Sequence, residues 1–226
     1  MYSIVANKPG DTSVLQKKSI EFNDLKSNEI LIKNRAIGVY FIDIYFRAGL
    51  YPWPEETDLV LGSEGAGEIE AIGSDVKKFK IGERVAYAQP NNAYSTHRII
   101  SEDLVVSIPD SISYDQAAAS ILKGLTVKYL VCDSYNLQSH HEVLFHAAAG
   151  GVGLIAGQWI KDIGAKLIGT AGNIEKCNLA KQIGFDEVIN YSEKNFLNEV
   201  LEITNNKGLD VVYDSCLLYT SPSPRD

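Results

Sequence analysis

Two rhythms of apolar and polar positions divide this chain. From Glu142 onward, short apolar runs alternate with amphipathic stretches. Glu142-Val143-Leu144-Phe145 reads as a buried parallel strand. Val152, Ile155, Trp159, Ile160 and Ile163 then recur at i, i+3, i+7, i+8 and i+11, the stripe of a core-facing helix. The same alternation predicts strands over 142–147, 166–171, 186–190 and 209–214, and helices over 152–163, 174–183 and 194–204. Repeated strand–helix units of this length imply a doubly wound parallel sheet. The first hundred residues follow the other rhythm and are β-rich, with strand patterns at 29–39, 63–72, 84–88, 94–100 and 104–108. Gly65 and Gly67 interrupt the second of these, which predicts bulges or close backbone approach in a curved, barrel-like sheet. The character changes at Pro109. Ser113-Tyr114-Asp115-Gln116 has capping-box spacing, so a helix is expected to run to about Lys123, with a second from Gly124 to Val131.

The junction between the first strand and the first helix of the α/β half carries the candidate chemistry. His146-Ala147-Ala148-Ala149-Gly150-Gly151-Val152-Gly153 is a glycine turn between strand and helix. Such a turn exposes backbone N–H groups, and the helix start adds about half a positive charge, which together cradle a pyrophosphate. On the G-x-G-x-x-G template, Gly150 allows close approach of the phosphates and Gly153 allows helix and strand to pack. Ala148 stands at the first glycine position, a departure from the pattern. A dinucleotide cofactor is expected.

Which dinucleotide is read at the end of the second strand. An NAD site carries Asp or Glu about 20 residues past the glycines, on the ribose hydroxyls. Lys166-Leu167-Ile168-Gly169-Thr170-Ala171 ends without a carboxylate and continues Gly172-Asn173-Ile174-Glu175-Lys176. A helix start and an ammonium thus stand where a 2′-phosphate would lie, which favours NADPH. As a solvated surface residue Lys176 would say nothing, and Glu175 keeps NADH in play. Tyr191 ends the third strand and is placed to stack or hydrogen-bond near the adenosine phosphate, or else to fill core.

Composition narrows the classes. The 226 residues are 45% hydrophobic and 22% charged, ordinary values for a globular protein, and long enough for two domains. A net charge of -8 argues against a nucleic-acid surface. No basic-then-apolar leader opens the chain and no apolar stretch has bilayer length, so a cytoplasmic location without membrane insertion is expected. The cysteines Cys132, Cys177 and Cys216 are scattered and form no paired framework.

Several runs then converge on one family. They are Ala36 to Pro52, Gly62-Ser63-Glu64-Gly65-Ala66-Gly67, Val85 to Ala88, Gln116 to Thr126, His146 to Gly153 and Val188 to Tyr191. Through them the chain, from residue 1 to Ser215, resembles the zinc-independent quinone oxidoreductases of the medium-chain dehydrogenase/reductase superfamily. The resemblance implies a GroES-like β-rich substrate domain over 1–118 and an incomplete Rossmann NADPH-binding domain over 119–215. It also implies a homodimer. Phe41, Ile42, Asp43, Tyr45, Lys123, Thr126, Tyr129 and Ser215 join Gly150, Gly151, Val152, Gly153, Gly172, Asn173, Lys176 and Tyr191 as cofactor-binding residues. Metal-dependent relatives have Gly-His-Glu where this chain has Gly62-Ser63-Glu64, and no cysteine precedes Cys132, so no zinc site is expected. The family usually has Asn at Tyr40, near the nicotinamide; the larger phenol would narrow the pocket or replace the amide's hydrogen bond.

Without a metal Lewis acid the acceptor should need little polarisation, and a quinone fits. Positioning would then be the protein's main contribution. Tyr45 and Tyr51 are the candidate catalytic residues, expected to line the cleft, with Tyr45 first in line to donate a hydrogen bond to a developing oxyanion; each reads equally as a wall residue. Asp43 has a second reading, as a cap for a short helix. The rival functions are NADPH-dependent reduction of activated C=C bonds and a non-catalytic or RNA-binding role. Residues 216–226, Cys216-Leu217-Leu218-Tyr219-Thr220-Ser221-Pro222-Ser223-Pro224-Arg225-Asp226, read as an adapter-derived, non-native tail. The natural protein is therefore expected to continue beyond Ser215, and the 226-residue chain to be inactive by itself.

Overall fold

In the computed structural model the described residues are 1–21, 24–53 and 58–214. The chain divides into two compact units, Met1–Leu122 and Lys123–Asp226.

The first unit is built on antiparallel sheet. β1 (Tyr2–Ala6), β2 (Leu15–Ser19), β3 (Glu29–Ile37), β4 (Leu59–Val60), β5 (Glu64–Ile72), β6 (Arg84–Ala88), β7 (His97–Ser101) and β8 (Val105–Ser107) form two sheets, ordered β2-β1-β4 and β7-β3-β5-β6-β8. Ile30, Ile32, Ile69, Val85, Tyr87 and Ile100 point to one buried cluster, each burial contributing roughly 1.5–3 kcal/mol for the aliphatic members. The glycine-interrupted strand behaves as its sequence predicts. Register shifts occur between Leu31 and Ile32 and between Asn34 and Ala36 on β3, opposite β5. A Cβ on Gly67 would lie 2.1 Å from the Lys33 carbonyl oxygen, so only glycine permits this approach. The fourth predicted strand starts late, at His97, because Tyr94 and Thr96 donate their N–H groups to Leu61 and Tyr2 instead of a β3 ladder. β1, β2 and β4 lie in stretches that carried no strand prediction. Between β3 and β4, α1 (Phe41–Arg47) forms the short helix on which the candidate tyrosine Tyr45 stands.

α2 (Tyr114–Lys128) opens on the predicted capping box: Ser113 N–H donates to Gln116 Oε1 at 2.9 Å and Gln116 N–H to Ser113 Oγ at 3.1 Å. The expected break at Gly124 does not occur. Nothing lies within 4 Å of a Cβ built there, so the glycine costs only its propensity and the helix runs on, into a π turn over Tyr129–Ser134.

The second unit alternates as expected. β9 (Glu142–Phe145), α3 (Gly151–Ile163), β10 (Lys166–Ala171), α4 (Ile174–Ile183), β11 (Glu187–Asn190), α5 (Phe196–Ile203) and β12 (Val211–Tyr213) form a parallel sheet ordered β11-β10-β9-β12. Both faces are covered. Val143, Phe145 and Leu167 pack with Ala156, Ile160 and Ala180, while the alternate residues Leu144 and Ile168 pack with Val200. Strand order reverses beside β9, the place where open α/β sheets bind ligands at their carboxyl ends. No helix among the described residues is long and apolar enough to cross a membrane.

Tyr213 on β12 gives this unit an alkaline limit. Its ring stacks 5.5 Å from Phe145, its hydroxyl donates to Leu130 O at 3.2 Å, and burial pushes its phenol up to about 12. A phenol raised this way stabilises the fold fully below the ordinary tyrosine range and loses that contribution as pH climbs through the folded value. Circular dichroism between pH 9 and 12 should show unfolding coincident with phenolate absorbance; Tyr213→Phe should move the midpoint to higher pH.

Candidate functional site

Each unit carries its own cluster of the candidate residues. In the second unit, β9 ends at Phe145 and the chain must turn within five residues to start α3 at Gly151. His146 N–H donates to Tyr213 O at 3.0 Å, Ala148 N–H to Thr170 O at 3.0 Å and Gly150 N–H to Ala147 O at 2.8 Å. Ala147 takes φ +55°, a left-handed value that costs a non-glycine residue on the order of 1 kcal/mol. Ala148 explains its departure from glycine: its methyl fills the space that a Cβ on Gly169 would occupy at 2.7 Å. Of the remaining glycines, Gly153 leaves the least space. A Cβ on Gly150 would sit 3.0 Å from Ala147 O, and one on Gly153 only 2.4 Å from Ala148 O and 2.6 Å from Ala147 O. Gly150 is the N-cap and provides no side chain, so the N–H groups of Gly151, Val152 and Gly153 start the helix without an acceptor inside it.

Lys123 arrives at this turn from α2. A Cβ on Gly151 would meet Lys123 Cε at 2.5 Å and Nζ at 3.8 Å, so the lysine stem lies directly over the cradle. Thr126 follows at i+3 on α2, and Tyr129, 58% exposed, opens the π turn.

The end of β10 assembles the second predicted cluster. Asn173 caps α4, its Oδ1 accepting from Lys176 N–H at 2.9 Å, which fixes Lys176 in the first turn with its side chain exposed. Tyr191 Oη lies 2.7 Å from where a Cβ on Gly172 would stand. Gly172, Asn173, Lys176 and Tyr191 are thus brought together at one strand end. Two residues there escaped the sequence reading. Ser192 donates from Oγ to Gly172 O at 2.8 Å, and its only signal was its place one residue past a strand end. Thr170, 1% exposed, lies 2.9 Å through Oγ1 from His146 Nδ1, and its signal was a hydroxyl on an otherwise apolar strand. Ser215 lies outside the described residues.

The cluster in the first unit is centred on α1. Phe41 and Tyr45, one turn apart, are 74% and 41% exposed, while Ile42 is half-buried. Tyr51 packs 6.3 Å from Tyr45 and 5.0 Å from Phe46 between ring centroids, making an aromatic platform. Trp53 ties it down, Nε1 donating to Phe46 O at 2.5 Å. Asp43 is buried beneath, accepting from Ser63 Oγ at 3.0 Å, Tyr94 Oη at 3.0 Å and Tyr40 N–H at 2.9 Å. Tyr40 donates its hydroxyl to Glu64, which is wholly buried. Burial first, then the hydrogen bond and charge of Glu64, push the Tyr40 phenol far above its usual range; burial and Asp43 do the same to Tyr94. Both phenols therefore stay neutral donors. Among the described residues no three His, Cys, Asp or Glu side chains come together as a metal ion would need.

Comparison with known proteins agrees with this arrangement. Residues 26–139 match the alcohol dehydrogenase GroES-like domain, and residues 151–218 match the zinc-binding dehydrogenase family. A quinone oxidoreductase of Pseudomonas aeruginosa is 50% identical over 207 residues, covering 91% of this chain and 63% of that protein. A 2-haloacrylate reductase of a Burkholderia species is 37% identical, covering 93% of this chain and 65% of its own length. The crystal structure of Escherichia coli quinone oxidoreductase complexed with NADPH superposes with TM-score 0.90 at 47% identity, covering 96% of this chain and 66% of that one. The chain thus spans about two thirds of the length of the relatives it matches.

Proposed function

The chain belongs to the quinone oxidoreductase branch of the medium-chain dehydrogenase/reductase family, and on that premise we propose that it serves an NADPH-dependent reductase of quinones. The observation that carries the reading is the turn at 147–153: Gly153 lets α3 start hard against the turn's own carbonyls, where a Cβ would collide, and the helix start leaves three N–H groups without an acceptor inside the helix. The residues fit a dinucleotide carrying a 2′-phosphate. Gly150, Gly151, Val152 and Gly153 would hold the pyrophosphate; Asn173, Lys176, Tyr191 and Gly172 would hold the adenosine end, with an ammonium and no acceptor carboxylate at the strand end. NADPH, when bound, supplies a hydride from its nicotinamide.

The rest is positioning. The first unit, Met1–Leu122, would present the acceptor, and its exposed rings Phe41, Tyr45 and Tyr51 suit a flat, uncharged, electron-poor molecule. Tyr45, on the exposed face of α1, would donate a hydrogen bond to the acceptor oxygen as charge develops there; Tyr51 would flank it. Asp43 and Glu64 would act beneath the platform, holding its mount. The same reading extends to a homodimer working in the cytoplasm.

The 2-haloacrylate reductase among the relatives favours a second reading, reduction of activated C=C bonds. Steady-state rates of the full-length protein with NADPH and either 1,4-benzoquinone, crotonyl-CoA, an alkenal or 2-chloroacrylate separate the two. We expect the quinone to give the highest kcat/KM; a higher value for any alkene would transfer the assignment to C=C reduction.

A further inference from the structure

α1 has seven residues, too few to hold a helix by its own hydrogen bonds, so its orientation depends on what is tied to its ends. The C-terminal end is tied three ways. Arg47 Nε donates to Gly10 O at 3.2 Å, Gly10 N–H donates to Arg47 O at 2.9 Å, and Trp53 Nε1 donates to Phe46 O. At the N-terminal end stands Tyr40, and it is gripped by its backbone and by its hydroxyl. Its backbone N–H goes to Asp43 Oδ2 and its hydroxyl goes to Glu64 Oε1.

Glu64 is an unusual side chain to find in that role. It lies on β5 with 0% exposure, and its second oxygen accepts the backbone N–H of Leu122 on α2 at 2.8 Å. Gly38 makes the seat: a Cβ there would lie 2.1 Å from Glu64 Oε1. Burying a carboxylate costs several kcal/mol unless donors surround it, whereas an apolar side chain would fill the space at no such cost. What the carboxylate gives in exchange is direction, because each oxygen accepts along a narrow range of angles.

We propose that Glu64 is a positioning residue of the reduction, acting through the Tyr40 hydroxyl to set the angle at which α1 presents Tyr45 to the acceptor. The inference rests on the quinone-reductase reading above and deepens it. Glu64, with no exposed surface, acts through Tyr40 rather than on the acceptor. Releasing the Tyr40 hydroxyl removes one tie at the N-terminal end of α1 while Asp43 keeps its bonds to Ser63 and Tyr94, so the helix tilts, strains the Trp53 bond to Phe46 O and shifts Tyr45. The ties named for α1 all run to residues of the first unit, and the turn at 147–153 is held by bonds of its own. The two substrates should therefore respond differently.

Tyr40→Phe tests this, since it keeps the ring and removes one donor. In the full-length protein the acceptor KM for 1,4-benzoquinone should rise about 10-fold, the loss of one well-placed hydrogen bond. The NADPH KM should rise clearly less than that, because the phosphate-binding turn at 147–153 keeps its own contacts. Glu64→Gln, whose single carbonyl cannot serve both donors, should give the same split, and the double variant should be no worse than Glu64→Gln alone. A readout independent of turnover comes from Trp53, one of two tryptophans in the chain. Its share of the emission, obtained by difference from Trp53→Phe, should become more open to collisional quenching in Tyr40→Phe. An unchanged acceptor KM in a variant that still reduces quinones overturns the proposal. So does a proportional rise in both KM values, which marks general loosening. If Tyr40→Phe does not fold, Glu64→Gln is judged by the same two criteria. A parent protein that reduces no quinone sinks the functional reading instead, and the quenching comparison then decides the positioning role alone.

Discussion

Gly153→Ala should abolish NADPH binding and lower the melting temperature by about 10 °C. The added methyl would stand 2.4 Å and 2.6 Å from two backbone carbonyl oxygens, those of Ala148 and Ala147. Neither can step aside. Ala148 is fully buried with its N–H committed to Thr170 O, and Ala147 is already held at a positive φ. Overpacking against fixed backbone costs about 3 kcal/mol, and a domain of this size loses roughly 2–4 °C per kcal/mol. The cradle would yield first, because separating α3 from the turn is the only relaxation open to it, and that moves the three N–H groups the phosphates need. Gly151→Ala makes the informative contrast. There the methyl meets the flexible stem of Lys123, so stability should change little while the lysine is pushed off the cradle and the NADPH KM rises about 10-fold. Calorimetry and cofactor titration on the pair check the argument. Equal losses of stability in the two variants would show that the close contacts at Gly153 do not govern the turn.

Lys176→Glu should reverse cofactor preference, raising the NADPH KM by about 100-fold while leaving the NADH KM within a few fold. Lys176 is the third residue of α4, and its backbone N–H, not its side chain, completes the Asn173 cap. A glutamate at that position is favoured by the helix start, so the fold should be untouched or slightly stabilised. The whole effect then falls on the 2′-phosphate, which exchanges an ammonium for a carboxylate; removing one charge-assisted contact and adding repulsion amounts to about 3 kcal/mol. The ratio of kcat/KM for NADPH over NADH measures it directly. A ratio that does not move would leave Lys176 as an ordinary surface lysine and return the choice of cofactor to Tyr191 and Ser192.

The α/β half was legible because each of its strands is buried on both faces, so apolar runs and helical stripes alternate without ambiguity, and β10 and α4 appear at their expected limits. The antiparallel half was legible only where an interior row exists. β1 and β2 carry Ser3, Gln16, Lys17 and Lys18, and pair at a sheet edge whose stability comes from partners distant in sequence. Short α1 was anticipated only through the capping reading of Asp43, which accepts the Tyr40 N–H; no periodicity marked it, because its buried side is that carboxylate and its exposed side is aromatic, the inverse of an amphipathic surface helix. The glycine turn, the cap at Asn173 and the Gly172–Tyr191 cluster could be read because they are local. The grip of Glu64 on Tyr40 spans 24 residues and the stem of Lys123 over Gly151 joins two elements; no periodicity announces either contact. Gly124 misled because its low helix propensity costs little within a helix held by packing on both sides of it.

The strand order β11-β10-β9-β12 also sets a timetable. β9, which leads into the cradle, is central, and one of its two neighbours is β12, so that Glu142 and Asp210, joined by a hydrogen bond, are 68 residues apart. Closing so long a loop carries an entropic cost that only late contacts repay, and parallel pairing of this range is slow. During synthesis the glycine turn leaves the ribosome with one flank of its strand bare, and the His146 N–H waits for Tyr213 O. The nucleotide cradle is therefore encoded early and finished late, around a seat that β12 locks.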